Sequence, residues 1–249
     1  MSAAADHFFR ATQLGAERYI KKMLLSQKAI LRHFKKGNII IEPFYKRKLQ
    51  TASYDVSLGE WYFRESHPEG RETIHNVYDE QSTKIVWNGP FKADEAKKLV
   101  KRNKIKLRNI GPEDKIILLE PGETILAHTR EFIGGRKVCV AKMYARSSLG
   151  RNFIEVCKDA GWGDIGYFNR WTMEITNNSR YFTIPLVVGR RIAQMVFYEV
   201  EPLPNKKGDY VKDGKYQLSQ DIEQVKKLWR PEMMIPKMHL DWEIKKSRF

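Results

Sequence analysis

Four short segments of the chain carry side-chain types suited to binding and transforming a charged substrate. The first contains Arg146, Ser147 and Ser148, and a second arginine follows at Arg151, directly after a strand-like apolar run. Hydroxyl and backbone N–H groups donate hydrogen bonds to phosphate oxygens, and guanidinium groups hold the terminal charge. The pattern indicates a phosphate site, although such a turn is more commonly a polar turn or a helix N-cap.

The second segment is a glycine-rich turn that runs from Asp159 to Tyr167. Glycines allow backbone groups to approach a planar ligand closely. The carboxylate of Asp164 is suited to accept a hydrogen bond from a sugar hydroxyl, and the ring of Tyr167 is suited to pack against the sugar. The alternative is a plain β-turn with a capping aspartate.

The third segment, from Trp171 to Asn177, alternates between apolar and polar residues. A period of two predicts a strand that places Trp171, Met173 and Ile175 on one face. Glu174 then lies on the opposite face. Because most isolated strand glutamates are exposed, Glu174 is either a solvent-facing residue or a carboxylate directed into a cleft.

The fourth segment begins at Gly189 and turns into an apolar strand that contains Gln194. A side-chain amide in such an apolar run needs a hydrogen-bond partner. A cross-strand bond would satisfy Gln194, and so would a phosphate or the backbone of a ligand-binding loop.

The elements around these segments are mostly short strands. Helical spacing over residues 5–36 predicts two helices, with Ser26 as an N-cap and Gly37 as a stop. The apolar runs that follow are broken by Pro and Gly and predict a mainly β fold, a barrel or jelly-roll-like sandwich. The predicted strands are 39–41, 54–58, 61–64, 115–119, 124–128, 137–144, 171–176, 182–186 and 192–200.

The length of 249 residues fits one decorated domain. We expect an N-terminal extension over 1–24, an insertion over about 66–112 with a charged helix at 92–107, and a C-terminal tail over about 202–249. No run approaches the roughly 18 apolar residues of a membrane span, and the first residues lack a secretory signal pattern. We therefore expect a cytoplasmic protein with no membrane partner.

The composition limits the chemistry further. The formal net charge of +15 attracts polyanions such as nucleotides, nucleic acid or anionic lipid, although solvated basic faces are its commonest origin. Cys139 and Cys157 have neither a CxxC partner nor a histidine at ligand spacing, so the sequence predicts no disulfide and no zinc site. The PCxxC motif that zinc-dependent deaminases need is also absent.

Taken in order, the four segments resemble the dCTP deaminase and dUTP pyrophosphatase superfamily. Residues 37–44 (GNIIIEPF) and 49–59 (LQTASYDVSLG) are similar to the opening of a dCTP deaminase, which the dUTP pyrophosphatases lack. The resemblance covers roughly residues 25–64 and 114–220. It implies a dUTPase-like distorted β-barrel or jelly-roll and the deamination of dCTP to dUTP and ammonia.

The resemblance also implies a catalytic set. In this superfamily, deaminases have a glutamate ten residues after the aspartate of the glycine-rich turn, where pyrophosphatases have an apolar residue. Here that position is Glu174, counted from Asp164. Glu174 thus resembles the base that deprotonates the attacking water. Ser147 and Arg151 match positions near that water and the amino group, and Ala160 matches a small residue that leaves room for both.

Three groups of substrate-binding residues follow from the resemblance. The phosphate group is Arg146, Ser148 and Gln194, and the group around the base and deoxyribose is Asp159, Trp162, Asp164 and Tyr167. The tail group resembles a segment that closes over the triphosphate and consists of Tyr210, Lys215, Tyr216 and Gln220. The family further implies a homotrimer with sites at subunit boundaries and Mg²⁺ bound through the substrate triphosphate, with no zinc.

The chain departs from the family pattern at several positions, and these keep alternatives open. Ser219 stands where the family's closing glutamine falls, with Gln220 one place later, and Cys157 and Asp159 replace the more usual His and Thr. Gly161 stands where some monofunctional deaminases have His, whereas other members, including dUMP-forming ones, have Gly.

The alternatives are a bifunctional deaminase and diphosphatase that gives dUMP, a dUTP pyrophosphatase, and a deaminase for a modified or monophosphorylated cytosine nucleotide. A non-catalytic nucleotide sensor or nucleic-acid-binding protein is a further alternative, which the basic insertion and tail motivate. Nucleic acid is not the expected partner, because Glu174, Ser147 and Arg151 are all present.

Overall fold

The computed structural model describes residues 24–68, 73–103, 106–202, 214–217 and 219–246. Within them, the second predicted N-terminal helix is confirmed as α1 (Gln27–Lys35). Ser26 occupies the N-cap position, and Gly37, at φ 68°, ends the helix as predicted. The first predicted helix lies outside the described residues.

The fold is mainly β, as predicted. The described strands are β1 (Ile39–Glu42), β2 (Tyr54–Glu65), β3 (Trp87–Lys92), β4 (Asp94–Glu95), β5 (Lys115–Leu119), β6 (Thr124–Gly135), β7 (Cys139–Ala145), β8 (Ile154–Val156), β9 (Trp162–Gly163), β10 (Phe168–Asn177), β11 (Ile184–Val187) and β12 (Arg191–Glu199). One sheet has the order β8-β10-β6-β2-β12-β7-β9, with β1 on β6 and β3 on β2, and a second has the order β11-β5-β4.

The large sheet curls around a single main core. Trp171, Met173 and Ile175 of β10 point into this core together with Met195 and Phe197 of β12, and all five side chains are buried. The alternation predicted for β10 is therefore confirmed, and it places Glu174 on the opposite face.

Two predicted strands, 54–58 and 61–64, are one continuous strand, β2. The pairing of β2 with β6 shifts register between Leu58 and Tyr62. The shift lies beside Gly59, where a Cβ would stand 2.0 Å from the ring of His128. The glycine therefore makes room for a buried side chain of β6, and the sequence signal that indicated a break marks an irregularity within the strand.

The region predicted as an insertion contributes both strands and helices. Its described helices are α2 (Glu80–Val86) and α3 (Ala96–Asn103). The predicted charged helix begins at Ala96, not at 92, because Lys92 ends β3 and Asp94–Glu95 pair with β5. Leu99 of α3 packs on Ile116 of β5, so this region forms a small second core.

The described part of the tail packs on the outer face of the large sheet. The helices that follow α3 in the chain are α4 (Ser147–Gly150), α5 (Ile222–Leu228) and α6 (Trp242–Lys246). Of these, α5 and α6 belong to the tail. Val225 and Trp229 pack against Phe132 and Phe168 of the sheet. None of the helices in the described ranges is both long enough and apolar enough to span a membrane.

Candidate active site

Glu174 is a half-buried carboxylate in the middle of β10. Burial raises the pKa of this carboxyl group above its usual value, and its own backbone N–H and the charge of Lys158 offset the rise only in part. Among the described residues no cation forms an ion pair with Glu174. A carboxylate in these surroundings accepts a proton more readily than an exposed one and is suited to act as a base.

The apolar surroundings of Glu174 come partly from the C-terminal segment. Glu174 pairs directly with Leu126 of β6, and paired residues lie side by side on the same face of a sheet. Leu126 is buried against Phe63 and against Met234 of the tail. The tail thus reduces the exposure of the sheet face that carries the carboxylate.

The loop that follows β8 has an unusual backbone. Cys157, Lys158 and Asp159 have φ values of 72°, 38° and 61°, which residues other than glycine rarely adopt. Such backbone costs on the order of 1–3 kcal/mol per residue and clusters at functional sites. The loop brings Lys158 toward Glu174 and leads into Ala160, whose side chain is exposed.

Gly161 closes this loop against β7. Its carbonyl accepts a hydrogen bond of 2.7 Å from the backbone N–H of Met143, and a Cβ at Gly161 would stand 2.4 Å from the Met143 carbonyl oxygen. Any larger residue here would force the loop away from the strand. The glycine is therefore required by the backbone of this chain, independently of any role in choosing between products.

Neither cysteine is placed as a nucleophile. The Sγ atom of Cys157 lies 2.9 Å from the Sδ atom of Met143 in the core, and burial together with the charge of Glu174 raises the pKa of the thiol. Burial also raises the pKa of Cys139 to about 12. No group of three or more His, Cys, Asp and Glu side chains among the described residues is arranged to hold a metal ion.

The Arg146 to Arg151 segment forms the short helix α4 at the end of β7. Arg146 occupies the N-cap position, and Ser147, Ser148 and Arg151 are exposed. Gln194 lies in β12 opposite Tyr144 and Asp55, and it is partly buried. The segment therefore presents its hydroxyls and guanidinium groups at the protein surface.

A cavity of about 710 Å³ opens beside α4 and is named here the cation cavity. Its walls are cationic and apolar and consist of Arg47, Lys48, Leu58, Ile110, Arg146, Leu149, Pro185, Leu186, Val187, Gly189, Arg190, Arg191 and Ile192. The volume lies in the range of small-molecule sites.

The cations of this cavity differ in how they are neutralised. Lys48 pairs with Glu131, Arg190 with Asp114 at 3.3 Å, and Arg191 with Asp55 at 2.8 Å. For Arg47 and Arg146, no described carboxylate forms an ion pair. Two guanidinium groups therefore face the cavity with their charge available to an anion.

Arg47, Arg190 and Arg191 are cavity residues that the sequence analysis did not select. The Arg190-Arg191 pair beside Gly189 is a sequence signal that could have indicated this cavity, whereas the prediction for this segment was based on the amide of Gln194. Arg47 gave no local signal, because it reaches the cavity from a 3₁₀ turn about a hundred residues upstream of α4.

The glycine-rich turn places Asp164 and Tyr167 at two ends of one loop. The indole N–H of exposed Trp162 donates a hydrogen bond of 2.8 Å to Asp164 Oδ1. The ring of Tyr167 meets Trp171 edge-on, with the ring centroids 5.2 Å apart. Gly166, at φ 91°, makes the turn between them. The side chain of Asp159, one loop earlier, is exposed.

The tail residues lie on this turn. Gln220 donates to the Gly166 carbonyl at 3.0 Å, and the Tyr216 hydroxyl accepts from the Lys237 backbone N–H at 3.0 Å. Lys215 forms an ion pair with Asp241. Tyr210 lies outside the described residues.

Within one chain, the predicted site residues form two groups. Glu174 lies with Lys158 and the 157–161 loop, whereas Arg146 lines the cation cavity. In the described part of the chain, no hydrogen bond or ion pair joins Glu174 to Ser147 or Arg151.

Comparison with known proteins identifies the family to which this chain belongs. A family model described as dCTP deaminase-like matches residues 24–200. The chain therefore belongs to the dCTP deaminase-like family, as the resemblance predicted.

Individual relatives carry more specific names. The chain is 32% identical over 185 residues to "dCTP deaminase, dUMP-forming" of Hydrogenobaculum sp. (strain Y04AAS1), with 74% of this chain and 86% of that protein covered. It is 28% identical over 197 residues to "dCTP deaminase" of Halorubrum lacusprofundi, with 78% and 86% covered. A crystal structure of 2'-deoxycytidine 5'-triphosphate deaminase from Agrobacterium tumefaciens superposes with a TM-score of 0.49 at 20% identity, over 76% of this chain and 52% of that chain.

Proposed function

We propose that this protein hydrolyses the exocyclic amino group of dCTP and releases dUTP and ammonia. The observation that carries the proposal is Glu174, a half-buried carboxylate with a raised pKa and no described cation paired to it. Family membership and the names of the relatives support the same chemistry. We place this activity in the cytoplasm.

In this mechanism Glu174 takes a proton from water as the oxygen attacks C4 of the cytosine. The new C4–O bond gives a tetrahedral centre, and the proton passes from Glu174 to N3 of the ring, where the product keeps it. The C4 hydroxyl then gives up the second proton of the water, which Glu174 relays to the amino group as the C4=O bond forms. The C4–N bond breaks, ammonia leaves, and the carboxylate is regenerated. One water is consumed for each ammonia formed, so no other reactant is needed.

A carboxylate base suits this chain better than the zinc-bound water of HxE/PCxxC deaminases, because the sequence lacks the PCxxC motif that supplies their cysteine ligands. Ser147 and Arg151 would act beside the tetrahedral centre, where a positive charge stabilises developing negative charge. We propose that a homotrimer brings them to a neighbouring subunit's Glu174, since no hydrogen bond or ion pair joins Ser147 or Arg151 to Glu174 within the described part of one chain.

The triphosphate is proposed to bind at the cation cavity and α4. Arg146 and Arg47 supply the charge that described carboxylates do not neutralise. Ser148 and Gln194 would donate further hydrogen bonds. Lys215, Tyr216 and Gln220 of the tail would close over the triphosphate. Mg²⁺ would enter this proposal only as part of the substrate, where it would neutralise charge of the triphosphate.

A second candidate is the dUMP-forming version of the same reaction, in which the product's pyrophosphate is also removed. It is favoured by the names of relatives from Hydrogenobaculum and Clostridium beijerinckii, each 32% identical and called dUMP-forming. Gly161 agrees with it but does not decide it, because the loop backbone already requires glycine.

The test is to incubate the purified protein with dCTP and Mg²⁺ and to follow ammonia and nucleotides by ion-exchange chromatography, with dUTP as a parallel substrate. Formation of dUTP supports the deaminase, and dUMP with pyrophosphate supports the second candidate. Cleavage of dUTP alone would indicate a pyrophosphatase. If neither nucleotide changes, salt-dependent DNA binding and a panel of modified and monophosphorylated cytosine nucleotides test the remaining alternatives. Sedimentation analysis tests the trimer.

A further inference from the structure

Gln217 is a buried polar residue in the tail, 1% exposed, and is not among the tail residues with predicted roles. Its Oε1 atom accepts a hydrogen bond of 2.7 Å from the backbone N–H of Phe168. Its Nε2 atom donates to the carbonyl oxygens of Gly166 at 2.8 Å and Ser219 at 2.9 Å. One side chain therefore bridges both sides of Tyr167 through the backbone.

The other side of this turn is packed against β6. The Gly166 N–H donates to the Gly135 carbonyl at 3.0 Å, and a Cβ at Gly134 would stand 2.0 Å from the Tyr167 carbonyl oxygen. The turn that carries Asp164 and Tyr167 is thus held between a strand of the barrel and the amide of Gln217.

The tail segment that carries Gln217 is itself anchored. The side-chain amide of Asn169 donates to the Tyr216 carbonyl at 2.9 Å, and the Lys237 backbone N–H donates to the Tyr216 hydroxyl. Further along, Trp229 is buried against Phe132 and Phe168. Because the tail is anchored on both sides of Gln217, the side-chain amide of Gln217 is held in place and can restrain the turn.

We propose that Gln217 is a positioning residue that fixes the Asp164–Tyr167 turn and thereby sets the discrimination of deoxyribose from ribose. This inference rests on the proposed function and on the family resemblance, which implies that Asp164 and Tyr167 lie around the deoxyribose. A ring packed beneath the sugar excludes a 2'-hydroxyl only while its backbone is held in place. Displacements of about 1 Å are enough to change turnover strongly.

The experiment compares Gln217→Leu with the matched control Gln224→Leu. Leucine keeps the volume of Gln217 but removes its three hydrogen bonds. Gln224 is an exposed glutamine seven residues later, whose side chain accepts from Ser219 Oγ at 2.8 Å. The readouts are kcat/KM for dCTP and for CTP, and amide hydrogen exchange of residues 164–168.

For Gln217→Leu we expect the dCTP-to-CTP ratio of kcat/KM to fall at least about tenfold, mainly through KM. We also expect the Phe168 amide to exchange at least about tenfold faster, with the β6 core amides unchanged. Gln224→Leu should leave both readouts as in the unsubstituted protein. An unchanged sugar ratio in an active Gln217→Leu variant overturns the inference.

A second variant keeps the test decisive if Gln217→Leu does not fold. Gln217→Asn keeps an uncharged amide but is one methylene shorter, so it cannot reach both Phe168 and Gly166, and a smaller fall in the sugar ratio is expected. No fall in that variant would overturn the inference. Failure of the proposed function is seen separately, because the unsubstituted protein would then deaminate neither dCTP nor CTP.

Discussion

Glu131 on β6 and Glu174 on β10 are carboxylates of two paired strands, and their surroundings differ in nearly every respect. Glu131 is 0% exposed, forms an ion pair with Lys48, and accepts the Ser57 backbone N–H at 2.9 Å. Lys48 also donates to the Ser57 hydroxyl at 2.5 Å. Glu174 is less deeply buried, yet it has no such partners among the described residues.

This difference distinguishes a buried carboxylate that stabilises the fold from one that can take part in a reaction. A carboxylate with a cation and an N–H donor keeps its charge and ties together the parts of the chain that supply them. A carboxylate that is buried without those partners instead has a raised pKa and accepts protons readily. The degree of burial alone therefore does not identify the reactive group, whereas the set of partners does.

The largest expected effect concerns Glu131. Glu131→Gln keeps the shape but leaves the Lys48 ammonium buried without its counter-charge, and we expect the free energy of unfolding to fall by about 3–5 kcal/mol. Urea denaturation at pH 7 measures this change. The double variant Lys48→Met/Glu131→Leu should recover most of the loss, since it removes both charges. A loss below about 1 kcal/mol in the single variant would contradict the structural role.

The pH dependence of stability extends the comparison to a third buried ionisable group, His128. Burial lowers the pKa of His128 from 6.5 to about 4. The unfolded chain therefore binds a proton between these values while the folded chain does not, so folding stability falls as the pH falls through this window. The contribution reaches about 3 kcal/mol. Urea denaturation at pH 7 and pH 4.5 should show a smaller loss in His128→Gln than in the unsubstituted protein, and an equal loss would exclude the assignment.

The sequence was sufficient for features that depend on local periodicity. Alternation in β10 correctly placed Trp171, Met173 and Ile175 in the core and Glu174 on the other face. Ser26 and Gly37 correctly marked the ends of α1, because caps and stops are local signals.

Features that depend on distant parts of the chain were not predictable in this way. The strand at 87–92 exists because β2 offers an edge for pairing, and its sequence, WNGPFK, contains Gly and Pro that argue against a strand. Arg47 joins Arg146 at one cavity only through the fold. Gln217 gave no signal, because its role depends on the backbone of residues 166 and 168. The roles proposed for Glu174, Ser147 and Arg151 follow from residue types and the family pattern, which the sequence alone displays.

Glu174→Gln tests the reactive side of the comparison. Gln keeps the shape and removes the base, so we expect kcat to fall at least about a hundredfold, equivalent to about 2.7 kcal/mol. Glu155→Gln, at an exposed glutamate on neighbouring β8, is the matched control and should retain normal turnover. Near-normal activity of Glu174→Gln would remove the assignment.

The same variant makes a prediction about stability. A carboxyl whose pKa is raised on folding binds its proton more tightly in the folded state, so it lowers stability as pH rises from its ordinary value through the raised one. Glu174→Gln lacks this loss, and its stability relative to the unsubstituted protein should increase between pH 4 and pH 7. Thermal unfolding at a series of pH values measures the difference. A relative decrease would mean that the fold stabilises the ionised form of Glu174.

The smallest expected effect comes from Lys158, whose charge offsets part of the rise in the Glu174 pKa. Lys158→Met removes that charge, so the acid limb of the kcat/KM profile should move to higher pH. The matched control is Lys137→Met, at an exposed lysine with a similar positive φ of 58°, which separates charge from backbone conformation. An acid limb that stays in place, or moves to lower pH, would show that a group other than Glu174 governs it. A shift seen in Lys158→Met but not in Lys137→Met would assign the acid limb to Glu174, which, unlike Glu131, has no ion-pair partner among the described residues.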